Sequence, residues 1–364
     1  MPKTLTILPV WTLAAPLLGW LLLTGQWLGL GQTVGAAYLV VLTLGLFGGV
    51  LAAVHHAEVI AHRVGEPFGT LVLAAAVTAI EVALIVTLML SGGPATAALP
   101  RDTVFATVMI ILNGIVGICL LVGGNRYGEQ HFGVFGVNAA LSTLAAIITL
   151  TLILPNFTMT VVGPYYSPSQ LAFVAVVSLV LYGAFLFIQT VRHRDYFLPA
   201  EDGTDAEHAP PPPAAIAWLS LGFLLLGLTA VVLTAKAISP TIEAGVASLG
   251  APHALVGVII AAVVLLPESL AALRAAQANR LQTSLNLALG SALASIGLSI
   301  PAVAIVSIMN GWQLTMGIDD KSIVLLVLSF LVATLSLGTG RTTLLQGVVH
   351  LVILVTYLFL TVFP

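Results

Sequence analysis

Apolar runs of about 20 residues recur along the whole chain, and they limit its fold more than any other feature. Only 7% of the 364 residues are charged, and 59% are hydrophobic. A run of this length crosses the hydrocarbon core of a bilayer as an α-helix, which satisfies its own backbone hydrogen bonds there. The sequence therefore predicts an all-α polytopic membrane protein whose surroundings are the lipid bilayer, with no separate soluble domain.

Breaks at glycine, proline and charged residues divide the chain into about eleven predicted transmembrane spans. The first run is longer than the core of a signal peptide and has no small-residue cleavage pattern after it, so we interpret it as a retained helix. The predicted spans lie near residues 7–30, 35–60, 68–91, 102–123, 134–154, 168–191, 215–236, 250–273, 282–309, 322–338 and 342–363.

The basic residues predict the orientation of these spans. Cytoplasmic loops carry an excess of Lys and Arg. With eleven spans, eight of the eleven basic residues fall on the amino-terminal side of the membrane, and only Arg101, Lys236 and Lys321 fall opposite. The amino terminus is therefore predicted to be cytoplasmic and the carboxyl terminus external.

One hydrophilic stretch, acidic and ending in four prolines, separates two groups of five spans. We predict an extra amino-terminal transmembrane helix in residues 1–33, a first five-helix repeat in 34–195, a cytoplasmic linker in 196–214 and a second repeat in 215–364. Because five is odd, related halves must insert in opposite senses, which is the inverted-repeat plan of many secondary transporters. The linker is either a solvated tether or a cytoplasmic cation sensor.

Two glutamates lie deep in apolar segments, Glu81 in VTAIEVALIV and Glu268 in VVLLPESLAAL. An acidic side chain at the middle of a membrane costs roughly 2.5 to 3.5 kcal/mol, so such a residue usually marks an ion or proton path. Each glutamate lies in the second span of its predicted half. Two buried carboxylates resist ionising together, and one divalent cation or two protons neutralise the same pair. Competition of this kind is the physical basis of cation/proton antiport.

The residues beside the two glutamates offer further oxygen ligands. Thr78 lies three residues before Glu81 on the same helical face, where its hydroxyl either ligates a cation or bonds its own backbone. Pro267 precedes Glu268 and frees a backbone carbonyl one turn earlier. That carbonyl either faces the cation or belongs to an ordinary membrane-helix kink.

The predicted ninth span carries Ser291, Ser295 and Ser299 at a spacing of four residues. A small polar stripe of this kind either packs helices closely or lines the ion path. The corresponding segment of the first half is ILNGIVGICLL, in which Asn113 is a buried amide. Asn113 either supports the Glu81 carboxylate or forms a hydrogen bond across helices.

Weaker candidates for an access path lie nearer the predicted membrane surfaces. The cluster at the cytoplasmic mouth between the second and third spans is either a solvated loop or a proton relay; it contains His55, His56, Glu58, His62 and Glu66. Glu243 lies near the outer end of the seventh span and is a candidate for the external entrance, and Glu129 is a further candidate on the cytoplasmic side.

The sequence argues against several other classes of protein. The net charge of −3 and the lack of a basic cluster argue against a nucleic-acid partner. One cysteine, Cys119, excludes an intrachain disulfide. We find no metal motif and no nucleophile with its base, so we expect neither an enzyme nor a cofactor. A passive cation channel needs a continuous polar pore, whereas the sequence offers one focal pair of carboxylates. A homo-oligomer is compatible with the sequence.

Three spaced motifs resemble those of the calcium/proton exchanger (CAX) family, and its bacterial ChaA-type branch in particular. They are Gly65, Glu66 and Gly69 followed by Glu81; Glu268 followed by NRL at 279–281 and SLNLALGS at 284–291; and GGNRYGEQHF at 123–132. The eukaryotic pattern of the family has G-N-A-x before each glutamate, whereas this chain has VTAI before Glu81 and VLLP before Glu268.

The resemblance implies a transporter of a prokaryotic inner membrane that exchanges Ca²⁺ for H⁺ by alternating access. Glu81 and Glu268 would bind the cation or protons, and Ser291 corresponds to a serine of the second repeat. Members of the ChaA-type branch are also associated with Na⁺/H⁺ or K⁺/H⁺ exchange, which keeps these monovalent ions as the alternative substrates.

Overall fold

The computed structural model describes residues 8–30, 35–65, 68–197, 211–248, 250–252 and 254–363, and these residues are almost entirely helical. The α-helices are α1 (Val10–Trp27), α2 (Ala36–Val64), α3 (Phe68–Gly92), α4 (Leu99–Met109), α5 (Val116–Tyr127), α6 (Val134–Ile148), α7 (Pro168–Phe187), α8 (Ala214–Ser248), α9 (Ala254–Val264), α10 (Leu266–Gln277), α11 (Leu281–Asn310), α12 (Asp320–Leu337) and α13 (Leu344–Val362). π-Helical segments join α4 to α5 (Ile110–Ile115) and extend α6 (Thr149–Ile153) and α7 (Ile188–Arg192). Strands β1 (Glu129–His131) and β2 (Arg341–Thr343) form an antiparallel ribbon.

The helices correspond closely to the predicted spans. Among the described residues, nine helices are long and apolar enough to cross a membrane, or ten if α9 and α10, which meet at a 53° bend, form one span. Helix α1 is the counterpart of the first predicted span. The prediction of an all-α chain with many membrane-length helices is confirmed, and the count of eleven is approximate.

The chain divides into two compact units. The first comprises residues 1–88 and 204–245, and the second comprises 89–203 and 246–364. In the first unit, α1 packs along α2 and α8. Small residues allow these contacts, since a Cβ on Gly19 would lie 3.3 Å from Ala230 and one on Gly49 would lie 3.0 Å from Val231. Trp20 donates its indole N–H to the Leu226 carbonyl at 3.1 Å.

In the second unit, α11 runs through the middle of the helices and is buried along most of its length. It contacts α4, α5, α6, α7 and α10, while α5 packs against α13. Glycines bring α5 and α13 together, because a Cβ on Gly117 would lie 3.0 Å from that of His350. Gly114 and Gly117 thus form the close-approach surface expected of small residues in membrane helices.

The distribution of polarity is that of a membrane protein. Large apolar side chains such as Phe173, Val180 and Leu335 are exposed on the outside of their helices. Polar side chains such as Asn113 and His350 are fully buried. A lipid environment favours this arrangement, because apolar side chains face hydrocarbon and polar side chains find partners between helices.

One sequence interpretation is corrected by the fold. His55, His56, Glu58 and His62 lie on helix α2, which continues to Val64, and not in a solvated loop. His56 is fully buried, with Nε2 3.1 Å from the Thr12 carbonyl and its ring stacked on Phe223. The physical reason is local: hydrogen bonding and stacking within the first unit bury an imidazole that the sequence pattern treats as a surface group.

The predicted linker lies largely outside the described residues, which omit 198–210. Its carboxyl-terminal part is described. There the Pro212 carbonyl accepts a hydrogen bond of 3.1 Å from the Arg63 guanidinium at the end of α2.

Candidate functional site

Glu81 lies near the middle of α3, thirteen residues after the helix begins at Phe68. Its side chain is only 2% exposed, and Thr78, one turn earlier on the same face, is 4% exposed. Helix α3 is 25 residues long and apolar apart from its few hydroxyl groups and this glutamate, so its regular backbone leaves the carboxylate too deep to reach either end. The carboxylate and the hydroxyl that the sequence associates with it are therefore both buried on one stretch of helix.

Glu268 lies at the break between α9 and α10. Pro267 occupies the first turn of α10, where its missing N–H is tolerated, and the two helices meet at 53°. Glu268 is in the same first turn and is 7% exposed. Because backbone N–H groups at a helix N-terminus favour negative charge, the break gives this carboxylate a more favourable position than the interior of a continuous helix.

Ser291 supplies a second oxygen beside this carboxylate. Its hydroxyl donates to Glu268 Oε1 at 3.4 Å, from α11 to α10 across the helix pair. Ser295 and Ser299 follow on the same side of α11 and are buried, at 2% and 0% exposed. The structure thus brings the first serine of the predicted stripe to the candidate site within the second unit.

Asn113 forms hydrogen bonds across helices, one of the two alternatives that the sequence leaves open. It lies in the π-helical segment Ile110–Ile115. Its amide donates to Ser329 Oγ on α12 at 2.8 Å, and its Oδ1 lies 3.3 Å from Nδ1 of His350 on α13. Asn113 therefore connects the π-helical segment to both α12 and α13.

The weaker access-path candidates lie apart from these buried groups. Glu58, half exposed, is 3.8 Å from His55 Nδ1, and His62 is exposed one turn further on. Glu129 pairs with Arg341 at 3.5 Å on the ribbon, and Glu243 accepts a hydrogen bond from Ser239 Oγ at 2.9 Å. Glu66 lies outside the described residues.

Sequence reasoning missed a set of polar contacts between the α5–α6 connection and the α10–α11 turn. These contacts involve Tyr127, Gln130 and Gly133 on one side and Gln277, Asn279 and Gln282 on the other. The signal was present in the sequence, because GGNRYGEQHF and NRL stand out as spaced motifs. Nothing in their spacing, however, shows that the two motifs touch.

The site chemistry is that of hard oxygen ligands. Carboxylate and hydroxyl oxygens suit calcium and similar hard cations. Among the described residues, no group of three or more His, Cys, Asp or Glu side chains forms a preassembled metal site. Glu81 belongs to the first unit and Glu268 to the second.

A polytopic helical protein with buried carboxylates on two of its helices, one of them at a broken helix, belongs to the class of secondary transporters. More particularly, this chain belongs to the sodium/calcium exchanger family. The family's sequence model, described as "Sodium/calcium exchanger protein", matches residues 34–191 and 219–363. The chain is thus a transport protein and not an enzyme, and the resemblance drawn from its motifs is confirmed.

Similar proteins extend over most of the chain. It is 47% identical over 361 residues to the "Putative ionic transporter y4hA" of Sinorhizobium fredii (strain NBRC 101917 / NGR234), covering 98% of this chain and 97% of that protein. It is 35% identical over 324 residues to the "Sodium-potassium/proton antiporter ChaA" of Escherichia coli (strain K12), covering 88% and 87%. A "Ca(2+)/H(+) antiporter" of Aphanothece halophytica is 26% identical over 302 residues, covering 80% of each.

A solved structure shares the fold. The crystal structure described as "H+/Ca2+ Exchanger CAX" aligns with a TM-score of 0.70 over 96% of this chain and 89% of that chain, at 14% sequence identity. At this low identity, the likeness supports the fold alone.

Proposed function

We propose that the protein is a cation/proton antiporter that exports cytoplasmic Ca²⁺ in exchange for external H⁺ by alternating access. One observation carries this proposal. Each of the two stretches that match the exchanger family contains a buried glutamate in a membrane-length or broken helix, Glu81 in the first and Glu268 in the second. Carboxylates at such positions are costly unless a cation or proton neutralises them.

Charge balance explains how these groups couple the two ions. Two carboxylates carry two negative charges, which one Ca²⁺ or two protons cancel. Since desolvation and mutual repulsion disfavour the doubly ionised empty state, the site exchanges one occupant for the other. The energy comes from the ion gradients, so the proposed mechanism requires no cofactor.

The neighbouring oxygens are suited to complete a calcium shell. Ca²⁺ takes six to eight oxygen ligands, and two carboxylates supply at most four. The hydroxyls of Thr78 and Ser291 are candidates for further ligands, because both are buried. Thr78 lies one turn before Glu81 on the same helix, and Ser291 donates a hydrogen bond to Glu268. Backbone carbonyls and water would supply the remainder.

A second candidate function is Na⁺/H⁺ or K⁺/H⁺ antiport through the same glutamates. The relative named as a sodium-potassium/proton antiporter is 35% identical to this chain, whereas the relative named as a calcium/proton antiporter is 26% identical. The asparagine that the resemblance places before each glutamate is absent from this chain. Its absence also favours a cation site with fewer oxygen ligands. Ca²⁺ and monovalent ions are therefore the two substrate classes to be compared directly.

The proposed orientation follows from the predicted repeats. Residues 34–195 and 215–364 would form inverted five-helix repeats after an extra helix in 1–33, with a cytoplasmic linker in 196–214 and an external carboxyl terminus. The two family matches, at 34–191 and 219–363, support these boundaries. The relatives named above are bacterial, which supports an inner-membrane location.

The test is proton flux in vesicles that contain the protein, reported by an internal pH dye after addition of Ca²⁺, Na⁺ or K⁺ separately. Glu81→Gln and Glu268→Gln keep the size and hydrogen-bonding capacity of each side chain but remove its charge and its proton. We expect each variant to lose exchange while remaining folded. The matched control is Asp320→Asn, which removes an exposed carboxylate at the start of α12.

The outcomes separate the candidates. Proton movement on Ca²⁺ addition that both glutamine variants lose and Asp320→Asn retains would support calcium/proton antiport at this site. A response to Na⁺ or K⁺ alone would keep the mechanism and change the substrate. Exchange retained in both glutamine variants would contradict the site, and cation leak without proton movement would indicate a channel.

A further inference from the structure

The connection between α5 and α6, residues 127–133, is bound to the turn between α10 and α11 at three points. We name residues 127–133 the clamp segment. Its hydrogen bonds are from Tyr127 Oη to the Gln277 carbonyl (2.7 Å), from Gln130 Nε2 to Asn279 Oδ1 (2.9 Å) and from the Gly133 N–H to Gln282 Oε1 (2.6 Å). All three lie within the second unit, and they hold the last residue of α10, the turn and the start of α11.

The turn that the clamp segment holds has a specific backbone geometry. Asn279 has a φ of 58°, and it is the one residue other than glycine with positive φ in the described part of the chain. The Asn279 N–H donates to the Ala276 carbonyl and the Arg280 N–H to the Ala275 carbonyl, at 3.1 and 2.9 Å. This pattern is a Schellman cap, in which asparagine tolerates the left-handed position better than most residues. Backbone hydrogen bonds alone therefore cap α10, and the Asn279 side chain remains available to accept the hydrogen bond from Gln130.

Gln130 is itself rigidly placed. It is 2% exposed and lies at the centre of β1, opposite Thr342 of β2. Gly123 makes room for it, since a Cβ at that position would overlap the Gln130 side-chain amide. The strand and the close contact with Gly123 leave the Gln130 side chain little rotamer freedom. Its hydrogen bond therefore holds Asn279 in a defined position.

The clamped turn lies between the two residues that meet at the candidate site. Glu268 is in the first turn of α10 and Ser291 is in α11, so the turn at Asn279 joins the two helices whose relative position sets the Ser291–Glu268 contact. That contact is 3.4 Å long, at the outer limit of hydrogen-bond length. A small shift of one helix against the other would therefore make or break it.

We propose that Gln130 is a positioning residue for the Glu268 half of the ion site, acting through Asn279 and the α10–α11 turn. This inference rests on the proposed function and deepens it. The amide of Gln130 holds the turn, the turn sets the spacing of α10 and α11, and that spacing holds the Ser291 hydroxyl on the Glu268 carboxylate. Loss of the Gln130–Asn279 hydrogen bond therefore has a larger effect on the affinity for the cation than on the stability of the fold.

The experiment compares variants of the full-length protein in vesicles, with the cation KM, the maximal rate and the pH profile measured for each. Gln130→Met keeps the approximate size of the side chain and removes the donor. Asn279→Gly keeps the positive φ and removes the acceptor, whereas Asn279→Asp keeps an acceptor oxygen in the same place. We expect Gln130→Met and Asn279→Gly each to raise the cation KM about two- to tenfold, as for loss of one hydrogen bond.

Three controls make the result specific. Asn279→Asp should behave like the wild type, and Gln130→Met combined with Asn279→Gly should be no worse than either alone, because both remove one contact. Asn156→Ala removes a hydrogen bond of 2.6 Å to the Ile318 carbonyl at the opposite end of α6. It should lower the melting temperature without changing the cation KM.

A second readout keeps the inference separate from the proposed function. The rate at which a hydrophobic carbodiimide modifies Glu268, followed by mass spectrometry of purified protein, reports the surroundings of that carboxyl group without requiring transport. We expect Gln130→Met and Asn279→Gly to change this rate alike, and Asn279→Asp to leave it unchanged.

The results distinguish two failures. If Gln130→Met and Asn279→Gly lower only the melting temperature, as Asn156→Ala does, and leave KM, pH profile and labelling unchanged, Gln130 has a purely structural role and the inference is wrong. If the wild type exchanges no cation for protons, the proposed function fails, and the labelling rates still decide whether Gln130 positions Glu268.

Discussion

At the scale of single residues, Ser291 offers a direct test of how the second carboxylate is supported. Its hydroxyl is the donor 3.4 Å from Glu268 Oε1. We expect Ser291→Ala to raise the cation KM about two- to tenfold, because a hydrogen bond of this kind contributes about 0.5–1.5 kcal/mol. Transport assays in vesicles at several cation concentrations would measure the change.

The matched control for Ser291 lies two turns further along α11. Ser299 is fully buried, and its hydroxyl has no hydrogen-bond partner among the described residues. Replacing it with alanine removes an unsatisfied polar atom, so Ser299→Ala should be neutral or slightly stabilising. Equal effects of the two substitutions on KM would show that the stripe matters for packing and that Ser291 has no special relation to Glu268.

The residues of the site differ in how far the sequence predicts them. Glu81 and Glu268 can be proposed from the sequence, because a carboxylate within an apolar run is costly in a membrane. The partners of Asn113 are not, since Ser329 and His350 are 216 and 237 residues away along the chain. Only the fold determines which helices meet there. The sequence could state that Asn113 needs a partner, but not which one.

At the scale of helices, the packing of α5 on α13 depends on glycine. A Cβ on Gly347 would lie 2.8 Å from the Gly117 carbonyl oxygen and would overlap the Leu121 backbone nitrogen. Because these are backbone atoms, no side-chain rotation relieves the contact. We expect Gly347→Ala to destabilise the protein by about 1–3 kcal/mol through overpacking, seen as a lower melting temperature in detergent.

Gly183 provides the control for this prediction. It lies in α7, and a Cβ there would meet nothing within 4 Å. Alanine is favoured over glycine in a helix by up to about 1 kcal/mol, so Gly183→Ala should hold or raise the melting temperature. A Gly347→Ala protein as stable as the wild type would mean that α5 and α13 can separate at little cost.

Helix boundaries show a second limit of sequence reasoning. The second predicted span ends near residue 60, whereas α2 continues to Val64 and includes the histidines placed in a loop. Polar residues at the end of a membrane helix resemble a loop in composition, and only the burial of His56 against Thr12 and Phe223 shows otherwise. By contrast, the break before Glu268 is anticipated by Pro267, because proline has a local effect on the backbone.

At the scale of the whole chain, contacts between loops support the predicted alternation of spans. Within the second unit, Ala97 contacts Thr315 and Asn156 contacts Ile318, and all four residues lie in loops predicted to be external. The ribbon of β1 and β2, at 129–131 and 341–343, joins two loops predicted to be cytoplasmic. If the number of spans between two of these loops were wrong by one, the bonded loops would lie on opposite sides of the membrane. The contacts therefore require that each bonded pair of loops lies on the same side.

These contacts do not indicate which side of the membrane is cytoplasmic. That prediction depends on the distribution of the basic residues. The prediction can be tested by labelling with a membrane-impermeant maleimide. Replacing the buried Cys119 with alanine removes the native thiol, and Met159→Cys or Thr339→Cys then adds one exposed cysteine. In intact cells we expect Met159→Cys to be labelled and Thr339→Cys to be protected until the membrane is opened.

The opposite labelling pattern would reverse the chain in the membrane, and with it the side from which each half of the site is reached. An antiporter of this design exchanges ions in whichever direction the gradients dictate, so inversion would leave the chemistry of Glu81 and Glu268 unchanged. Labelling of both cysteines in intact cells would instead contradict the alternation of spans. Because the loop contacts depend on that alternation, such a result would also conflict with the packing of the second unit.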